Sequence, residues 1–289
     1  MKAAVTWPPV NAPVTAALRA ALPASARNWA PVARYVPRSG DVSDTLPSGR
    51  ALRMWSRCDD AIATEVFWRG WAGHEPETAE PFWELATSAR VTLDVGAHVG
   101  YFSLLAALAN PAGSVYAFEP LDRVRERLIR NVALNGLENV FCFPVALGSS
   151  EGRAEFFHVE GGIPSSSSLS GAFMRSITDD GSVVSTEVQV TTVDTFVAEN
   201  GLAGRVDLVK VDTENTEDDV FRGMLGTLET DRPAIMCEVL KAETGRAIEA
   251  TIAPFGYRFC LLTDRGPVPC DHIRPDPTWR NFSFLPPRG

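Results

Sequence analysis

From Val91 onward, short apolar runs alternate with segments of helical character, and this alternation is typical of a parallel α/β sheet. The predicted strands are Val91–Val95, Ser114–Phe118, Val140–Val145, Val206–Val211, Ala234–Glu238, Tyr257–Leu262 and Asn281–Leu285. Five of these seven strands alternate with helices, and the last two close the sheet as an antiparallel hairpin. The sequence therefore predicts an α/β fold with a Rossmann-like, seven-stranded, mostly parallel sheet and helices on both of its faces.

Two segments depart from this alternation. Residues 1–88 are predicted to form a mostly helical N-terminal extension, and residues 89–289 the α/β domain. Within that domain, residues 150–190 form an inserted loop and hairpin whose Gly- and Ser-rich loop spans 161–171. A loop of this length usually has a function, and we expect a lid over a substrate. The predicted helices are 12–22, 27–35, 60–71, 77–88, 100–109, 122–135, 216–228 and 243–252.

The chain of 289 residues is acidic, with 36 Asp and Glu, 27 Lys and Arg, and a formal net charge of −9. Binding to phosphates requires a basic stripe, so this balance argues against nucleic acid and anionic membrane as partners. The N-terminus lacks a continuous apolar core, and no apolar run reaches the ~18 residues of a spanning helix. Five cysteines without a CxxC pair suit a reducing compartment. We expect a cytoplasmic protein.

The strongest motif follows the first predicted strand, where the chain continues as Asp94-Val-Gly-Ala-His-Val-Gly100. Its glycines let a ligand approach the backbone closely, and the N-terminus of the next helix is electropositive. The spacing is GxxxG, whereas a dinucleotide pyrophosphate is held by GxGxxG. The carboxylate of Asp94 would repel a pyrophosphate but suits a ligand that carries an ammonium or sulfonium charge. The motif therefore argues against a dinucleotide-dependent dehydrogenase.

Further carboxylates stand at the ends of three later strands. Glu119 ends the second, in Phe-Glu-Pro, where a carboxylate can accept hydrogen bonds from two vicinal ribose hydroxyls. Asp212 ends the fourth strand in Lys-Val-Asp-Thr-Glu, Glu214 follows it, and Glu238 ends the fifth strand. Such folds place their ligands at this edge of the sheet, so we expect these side chains to hold a substrate, an amino group of a cofactor or a cation.

Five segments in order resemble the FkbM family of S-adenosylmethionine-dependent methyltransferases. They are DxGAxxGxxS from Asp94, the FEP around Glu119, NVALNG at 131–136, VALG at 145–148 and KxDxE from Lys210. Each segment alone has little specificity, but their order and spacing together are specific. The resemblance runs from about residue 59 to residue 285.

The resemblance implies S-adenosylmethionine as the cofactor and assigns roles at the matching positions. The residues that would line the methionine part are Asp94, Gly96, Ala97 and Gly100, with Ser103 adding a hydroxyl. Glu119 would bind the ribose, and the residues near the adenine would be Val145 and Ala146. The expected substrate-binding residues are Glu75, Ser167, Ser168 and Glu238.

A hydroxyl acceptor must lose a proton, and the resemblance places Asp212 and Glu214 nearest to the transferring methyl group. An unperturbed Asp has a pKa of ~3.9, so a carboxylate serves as the base only where burial raises its pKa. His98, at a position where the family usually has asparagine, is a competing candidate because an imidazole pKa of ~6.5 suits the task. A second departure, Asn215-Thr216 in place of Gly-Ala or Gly-His, makes the turn on the substrate side bulkier.

Together these features predict an S-adenosylmethionine-dependent O-methyltransferase that acts on a small-molecule hydroxyl, of a sugar or of a natural-product or antibiotic intermediate. One alternative is a metal-assisted O-methyltransferase in which Asp212, Glu214 and Glu238 hold a divalent cation such as Mg²⁺. The resemblance calls for no metal, so the metal reading is not favoured and no residue is assigned as a ligand. The other alternative is a non-catalytic nucleotide-binding module. The expected partner is the small-molecule acceptor, and a homodimer is compatible with the sequence.

Overall fold

The computed structural model describes residues 8–23, 36–178 and 182–287. The N-terminal extension contains, in order, helix α1 (Pro8–Ala21), strands β1 (Ser39–Thr45) and β2 (Ala51–Arg57), and helices α2 (Ala61–Arg69) and α3 (Pro76–Ala86). The strands β1 and β2 form an antiparallel hairpin, so the extension combines helices with a two-stranded sheet. The helix predicted at 27–35 lies outside the described residues.

The α/β domain follows this extension. Its first half contains β3 (Val91–Val95), α4 (Tyr101–Ala109), β4 (Ser114–Phe118), α5 (Asp122–Leu134), β5 (Val140–Phe143), β6 (Val145–Leu147), β7 (Gly152–Val159), β8 (Ser167–Ser168), α6 (Gly171–Ile177) and β9 (Val183–Thr191). Its second half contains α7 (Val193–Glu199), β10 (Val206–Val211), α8 (Glu217–Arg222), α9 (Leu225–Thr230), β11 (Ala234–Glu238), α10 (Ala242–Ile252), β12 (Arg258–Thr263), β13 (Gly266–Cys270) and β14 (Asn281–Leu285).

The central sheet has eight strands in the order β13-β12-β14-β11-β10-β3-β4-β5. The five neighbouring strands β11, β10, β3, β4 and β5 are parallel to one another, as predicted. β14 is antiparallel to both of its neighbours, β11 and β12, so the predicted antiparallel pairing of the last two predicted strands is confirmed. The eighth strand, β13, corrects the predicted count of seven. It forms a hairpin with β12, in which Pro267 and Pro269 pair with Leu262 and Cys260. Prolines argue against a strand in the sequence, but an edge strand tolerates them because it has no second neighbour.

Pro144 ends β5 and separates two sheets. The sequence predicts one strand over Val140–Val145, whereas the structure has β5 in the central sheet and β6 in another. Proline has no N–H to donate to a ladder, so the chain can leave the sheet at this residue. β6 pairs with β9 in a four-stranded sheet of order β6-β9-β7-β8, which contains the hairpin predicted within residues 150–190.

The helix predicted at 216–228 is two short helices, α8 and α9, which are separated at Gly223. A Cβ added to Gly223 would lie 2.1 Å from the carbonyl oxygen of Gly148. At Gly223 the backbone therefore lies too close to the loop at Gly148 for a side chain to fit. The helix is interrupted at this glycine.

Two asparagines join the N-terminal extension to the α/β domain. The backbone N–H of Trp55 in β2 donates to Oδ1 of Asn131 at 2.9 Å, and that of Arg53 donates to Oδ1 of Asn135 at 2.9 Å. Both asparagines belong to the NVALNG segment of α5 and its C-terminal cap. These bonds use the outer edge of the hairpin, so β2 is held against α5.

The apolar core lies on both faces of the central sheet. All five residues of β3 are buried, as are five of the six residues of β10. Strands that are buried on both faces have nearly continuous apolar sequences, and this explains why the positions of these strands could be predicted from the sequence. Within the part of the chain that the structure describes, no helix is both long and apolar enough to cross a bilayer.

Candidate functional site

A cavity of about 750 Å³ opens where β3, β4, β10 and β11 end at their carboxyl edge. This is the usual position of ligands in open α/β sheets. The strand ends supply Gly96, His98, Glu119, Asp212, Glu214 and Glu238 to the wall. The N-terminal extension supplies Asp60, Glu65, His74 and Glu75, and the Ser-rich loop covers one side with residues 163–167. The cavity is therefore built from three parts of the chain.

The turn after β3 requires glycine at Gly96. Its φ of +83° lies in the left-handed region, and a Cβ at this residue would lie 1.9 Å from the carbonyl oxygen of Asp212. The backbone N–H groups of Gly96 and Ala97 donate to the carbonyl oxygen of Phe118, at 3.1 and 2.9 Å. The N–H of Asp212 donates to Val95 at 2.9 Å. The turn thereby fixes the ends of three neighbouring strands relative to one another.

Asp94 lies behind this turn and is buried. Its Oδ2 accepts a hydrogen bond from Oγ of Ser103, and burial raises the pKa of Asp94 to about 6. Among the described residues that line the cavity, neither Asp94 nor Ser103 is found. Ser103 thus donates to the carboxylate of Asp94, and the expectation that both residues touch the ligand stays a prediction.

Glu119 lies in the wall beside the same turn and is also buried. Its Oε2 accepts from the backbone N–H of His98 at 3.1 Å, and its Oε1 from that of Leu121 at 2.9 Å. Burial raises the pKa of Glu119 to about 7, despite these two bonds. Each carboxylate oxygen has a second lone pair, so both can still accept from a ligand. The geometry suits a pair of adjacent hydroxyls.

Three other residues that the resemblance assigned to the cofactor, Gly100, Ala97 and Val145, are not among the described residues that line the cavity. A Cβ on Gly100, whose φ is +90°, would lie 2.2 Å from Cδ1 of Leu128, so this glycine allows α4 and α5 to pack closely. Ala97 is buried and Val145 half-buried, and neither is found among the described residues of the wall. The next two residues of β6, Ala146 and Leu147, do line the cavity.

Asp212 stands at the opposite end of the cavity and pairs with a buried lysine. Nζ of Lys210 lies 3.0 Å from Oδ2 of Asp212. Lys210 is fully buried, which would by itself lower its pKa, but the charges of Asp212, Glu75 and Glu238 raise it well above the ordinary value. Lys210 is part of the KxDxE motif, but the motif does not predict that the lysine is buried, since lysine is rarely buried without a partner.

Glu214 follows in a strained turn. Glu214 and Asn215 have φ of 57° and 73°, in the left-handed region. Oε1 of Glu217 accepts from the N–H groups of Thr213 and Asn215, at 3.1 and 2.9 Å, and so holds this turn. Burial raises the pKa of Glu214 to about 8, with a further contribution from the charge of Asp212. This shift favours the protonated form of Glu214 at neutral pH.

Glu238 and Glu75 complete this end of the wall. Burial raises the pKa of Glu238 well above its ordinary value, and the nearby charges of Asp212 and Glu75 add to the effect. Oε2 of Glu75 is buried without a hydrogen-bond partner among the described residues. This end of the cavity therefore contains carboxyl groups that are protonated or unpartnered.

The Ser-rich loop contacts the site through four of its serines, of which Ser165, Ser166 and Ser167 line the cavity. Ser167 lines the cavity, but Oγ of Ser168 donates to the carbonyl oxygen of Glu214 at 2.7 Å and is buried. The Ser168 side chain therefore ties the loop to the Glu214 turn, and its assignment to substrate binding stays a prediction. The loop is held from the other side by His98, whose ring Nε2 lies 2.8 Å from the carbonyl oxygen of Pro164.

His98 lines the cavity between the turn after β3 and the loop. Burial lowers its pKa, although the charge of Asp60 opposes this effect. A neutral imidazole donates one proton, and here the Pro164 carbonyl accepts it at Nε2. The His98 side chain therefore joins the Ser-rich loop to the turn after β3. Its Nδ1, which carries no proton in this form, can accept a hydrogen bond.

Sequence reasoning missed the residues that the extension contributes, apart from Glu75. Asp60 caps α2, and its Oδ2 is buried without a hydrogen-bond partner among the described residues. His74 lies between α2 and α3, and its Nδ1 is 2.8 Å from Oε2 of Glu65. The only available signal for them was the Glu75-Pro76 segment, which lies beside His74. Within residues 8–23, 36–178 and 182–287, no group of three or more potential ligands is arranged to hold a metal ion.

A family model described as the methyltransferase FkbM domain matches residues 94–259, more than half of the chain. A curated relative, the AMB antimetabolite synthetase AmbE of Pseudomonas aeruginosa, is 29% identical over 162 residues. That alignment covers 46% of this chain and 8% of the synthetase, so the chain spans less than a tenth of that relative.

Two solved structures are similar in backbone. The methyltransferase FkbM of Methylobacillus flagellatus is 13% identical with a TM-score of 0.45, over 78% of this chain and 54% of that one. A S-adenosylmethionine-dependent methyltransferase of Agrobacterium tumefaciens is 12% identical with a TM-score of 0.46, over 86% of this chain and 71% of that one. The chain thus spans about half the length of the first structure.

Proposed function

The chain belongs to the FkbM methyltransferase family and is an S-adenosylmethionine-dependent methyltransferase, and from this premise we propose that it methylates a hydroxyl oxygen of a small molecule. We further propose that the acceptor is a sugar or a natural-product intermediate in the cytoplasm. The matched relative is named as an antimetabolite synthetase, which supports a natural-product setting. Among the described residues, the five cysteines are free, which suits a reducing compartment.

The Glu119 end of the cavity supports the placement of the cofactor. Glu119 is buried, offers two lone pairs and lies beside a glycine turn that a nucleoside can approach closely. Ala146, beside it, provides an apolar surface for an adenine ring. S-adenosylmethionine, when bound, supplies a methyl carbon that its sulfonium activates. We propose that Glu119 accepts from the ribose hydroxyls and that the Gly96 turn faces the methionine part.

The observation that carries the choice of acceptor is the cluster of buried carboxyl groups that Glu214, Glu238 and Glu75 form in the cavity wall. Glu214 has a pKa of about 8, and the pKa of Glu238 is higher than its ordinary value. A protonated carboxyl both donates and accepts hydrogen bonds, which matches a hydroxyl group. An anionic acceptor would meet the charge of Asp212 instead. A neutral molecule with several hydroxyls is therefore the best match.

The chain's own residues have three tasks in this reaction. They orient the acceptor oxygen toward the methyl carbon, exclude water and take up the hydroxyl proton. The loop at residues 163–167 covers one side of the cavity and is tied down by Ser168 and His98. We propose that this loop acts as the lid and that Ser167 contacts the acceptor. Asp212 and Glu214 lie where they can orient the acceptor hydroxyl.

The proposal is tested by supplying methyl-labelled S-adenosylmethionine with a panel of neutral sugars and alcohols. Each compound is paired with a control in which an amine replaces the hydroxyl. We expect the label on an oxygen of at least one hydroxyl compound, located by NMR of the product. Transfer to the amines alone, or to carbon, would contradict O-methylation.

Glu119→Gln should weaken the binding of S-adenosylhomocysteine by at least tenfold. The amide keeps only one oxygen, so the N–H of either His98 or Leu121 loses its acceptor, and the charge-assisted bonds to the ribose are lost. Each such bond contributes about 1.5–3 kcal/mol. Isothermal titration calorimetry measures the change. Asp122→Asn, which removes an exposed carboxylate three residues away, is the control and should bind normally. Unchanged affinity in Glu119→Gln would remove Glu119 from the cofactor site.

A further inference from the structure

His74 lies in the wall of the cavity with both ring nitrogens beside carboxylates. Nδ1 is 2.8 Å from Oε2 of Glu65, and Nε2 is 3.5 Å from Oε1 of Glu75. The first distance is that of a hydrogen bond, whereas the second is too long for a good one. Nδ1 is therefore engaged, and Nε2 is the nitrogen that remains available to a ligand in the cavity.

The position of His74 is fixed by its surroundings. The ring of Tyr101 packs edge-on against it, with centroids 5.3 Å apart and an interplanar angle of 84°. The loop before it is tightly folded, because a Cβ on Gly73 would lie 2.6 Å from Cβ of Arg69. The hydroxyl of Tyr101 donates to the carbonyl oxygen of Trp71 at 2.6 Å, which ties the loop to α4. A general base has to be held in this way to act on one atom.

We infer that His74, oriented by Glu65, is the group that removes the proton from the acceptor hydroxyl. Nδ1–H donates to Glu65, which leaves the lone pair of Nε2 facing the cavity. This arrangement of a carboxylate, an imidazole and a reacting hydroxyl is a general solution for activating a weak nucleophile. The inference rests on the proposed O-methylation, since an acceptor that has no proton to lose needs no base.

The acceptor oxygen bonds to the methyl carbon, the carbon–sulfur bond breaks with its electron pair left on sulfur, and the hydroxyl proton moves to Nε2 of His74. The imidazolium that results lies between the carboxylates of Glu65 and Glu75, which stabilise its charge. His74 then returns the proton to solvent after product release.

The titration of His74 depends on groups from every element around it. Burial by itself would lower the pKa of His74, but the hydrogen bond to Glu65 and the charges of Glu75 and Asp212 raise it overall. The titratable and charged groups near it are Glu65 and Arg69 of α2, Glu75, Glu77 of α3, His98, Tyr101 and Asp212. The base form is lost below the raised pKa, so turnover should fall as the pH drops through it.

The first test needs no acceptor. Nitrogen-15 NMR of the histidine rings, with S-adenosylhomocysteine added, reports which nitrogen of neutral His74 carries the proton and the pKa of the ring. We expect the Nδ1–H form, and we expect Glu65→Gln to lower the pKa by about one unit, because a charged partner becomes neutral. A neutral ring protonated at Nε2, or a pKa that Glu65→Gln leaves unchanged, would overturn the inference.

The second test is kinetic, with the acceptor that the labelled panel identifies. His74→Gln should lower kcat by about 100-fold or more while cofactor affinity stays within a factor of two to three of that of the unaltered protein. Glu65→Gln should move the acid limb of the kcat profile to lower pH. The control is His272→Gln, since His272 also pairs with a carboxylate, Glu249 at 2.9 Å, but is exposed. A normal kcat in His74→Gln would exclude His74 as the base.

These measurements separate the two proposals. If no panel compound is methylated on oxygen, the proposed function fails, and the NMR result still decides whether His74 has the protonation state of a base. If O-methylation occurs and His74→Gln retains full kcat, only the inference about His74 fails.

Discussion

Gly96→Ala is expected to lower the free energy of unfolding by about 2–5 kcal/mol and to abolish measurable cofactor binding. The added methyl group would lie 1.9 Å from the carbonyl oxygen of Asp212, which is backbone and cannot rotate away. Two costs add: about 1–2 kcal/mol for a side chain in the left-handed region and about 1–3 kcal/mol for overpacking. Chemical denaturation and calorimetry with S-adenosylhomocysteine measure the two effects.

Gly136→Ala is the matched control. Gly136 also has a left-handed φ, of +62°, but a Cβ there would meet no heavy atom of the described residues within 4 Å. Only the conformational cost of about 1–2 kcal/mol should appear, with cofactor binding unchanged. If the two variants lose equal stability, the close approach of the β3 turn to Asp212 is not what requires glycine at position 96.

Asp212→Ala is the second substitution with a large expected effect. It leaves Lys210, which is fully buried, without its 3.0 Å partner. Breaking a buried ion pair from one side costs about 3–5 kcal/mol, and we expect the lower end because Glu75 and Glu238 still act on the lysine. Turnover should also fall, because Asp212 lines the cavity and we propose that it orients the acceptor hydroxyl.

Two comparisons separate the stability effect from the catalytic one. Asp212→Ala combined with Lys210→Met should be more stable than Asp212→Ala alone, because no buried charge is left unpaired, but its turnover should stay low. Asp218→Ala removes a carboxylate from a more exposed pair with Arg222 and should cost at most about 1 kcal/mol. Normal turnover in the double variant would remove Asp212 from the mechanism.

The strands of the α/β domain could be predicted from the sequence because they are buried on both faces. Val91–Val95 is such a run, and the structure has a strand with the same bounds. The errors occur where one residue decides the path of the chain. Pro144 moves Val145 into another sheet, and the prolines of β13 conceal an edge strand. Neither outcome depends on periodicity, so a pattern of apolar residues does not predict them.

The site residues that could be predicted from the sequence are those that belong to a local motif at the end of a strand. Glu119 and Asp212 end strands, and the order of strands brings them to one cavity. His74 and Glu65 lie nine residues apart on either side of a tight loop, and their contact depends on how the helices α2 and α3 are joined. The burial of Lys210 was equally hidden, because it follows from the packing of the whole central sheet. Contacts between distant segments are set by tertiary structure, which a local motif does not encode.

The residues of the cavity wall lie partly within and partly before the segment that the family model matches. The lining residues at the strand ends, such as Gly96, Glu119 and Asp212, lie within 94–259, the segment that the family model matches, whereas Asp60, Glu65, His74 and Glu75 precede it. Part of the cavity wall thus lies upstream of that segment. If the proposed placement of the cofactor at Glu119 holds, we expect substitutions upstream of residue 94 to change which acceptor is bound while cofactor affinity stays the same. The backbone N–H groups of Trp55 and Arg53 in β2 donate to Asn131 and Asn135, and these bonds hold the two parts of the wall in one alignment.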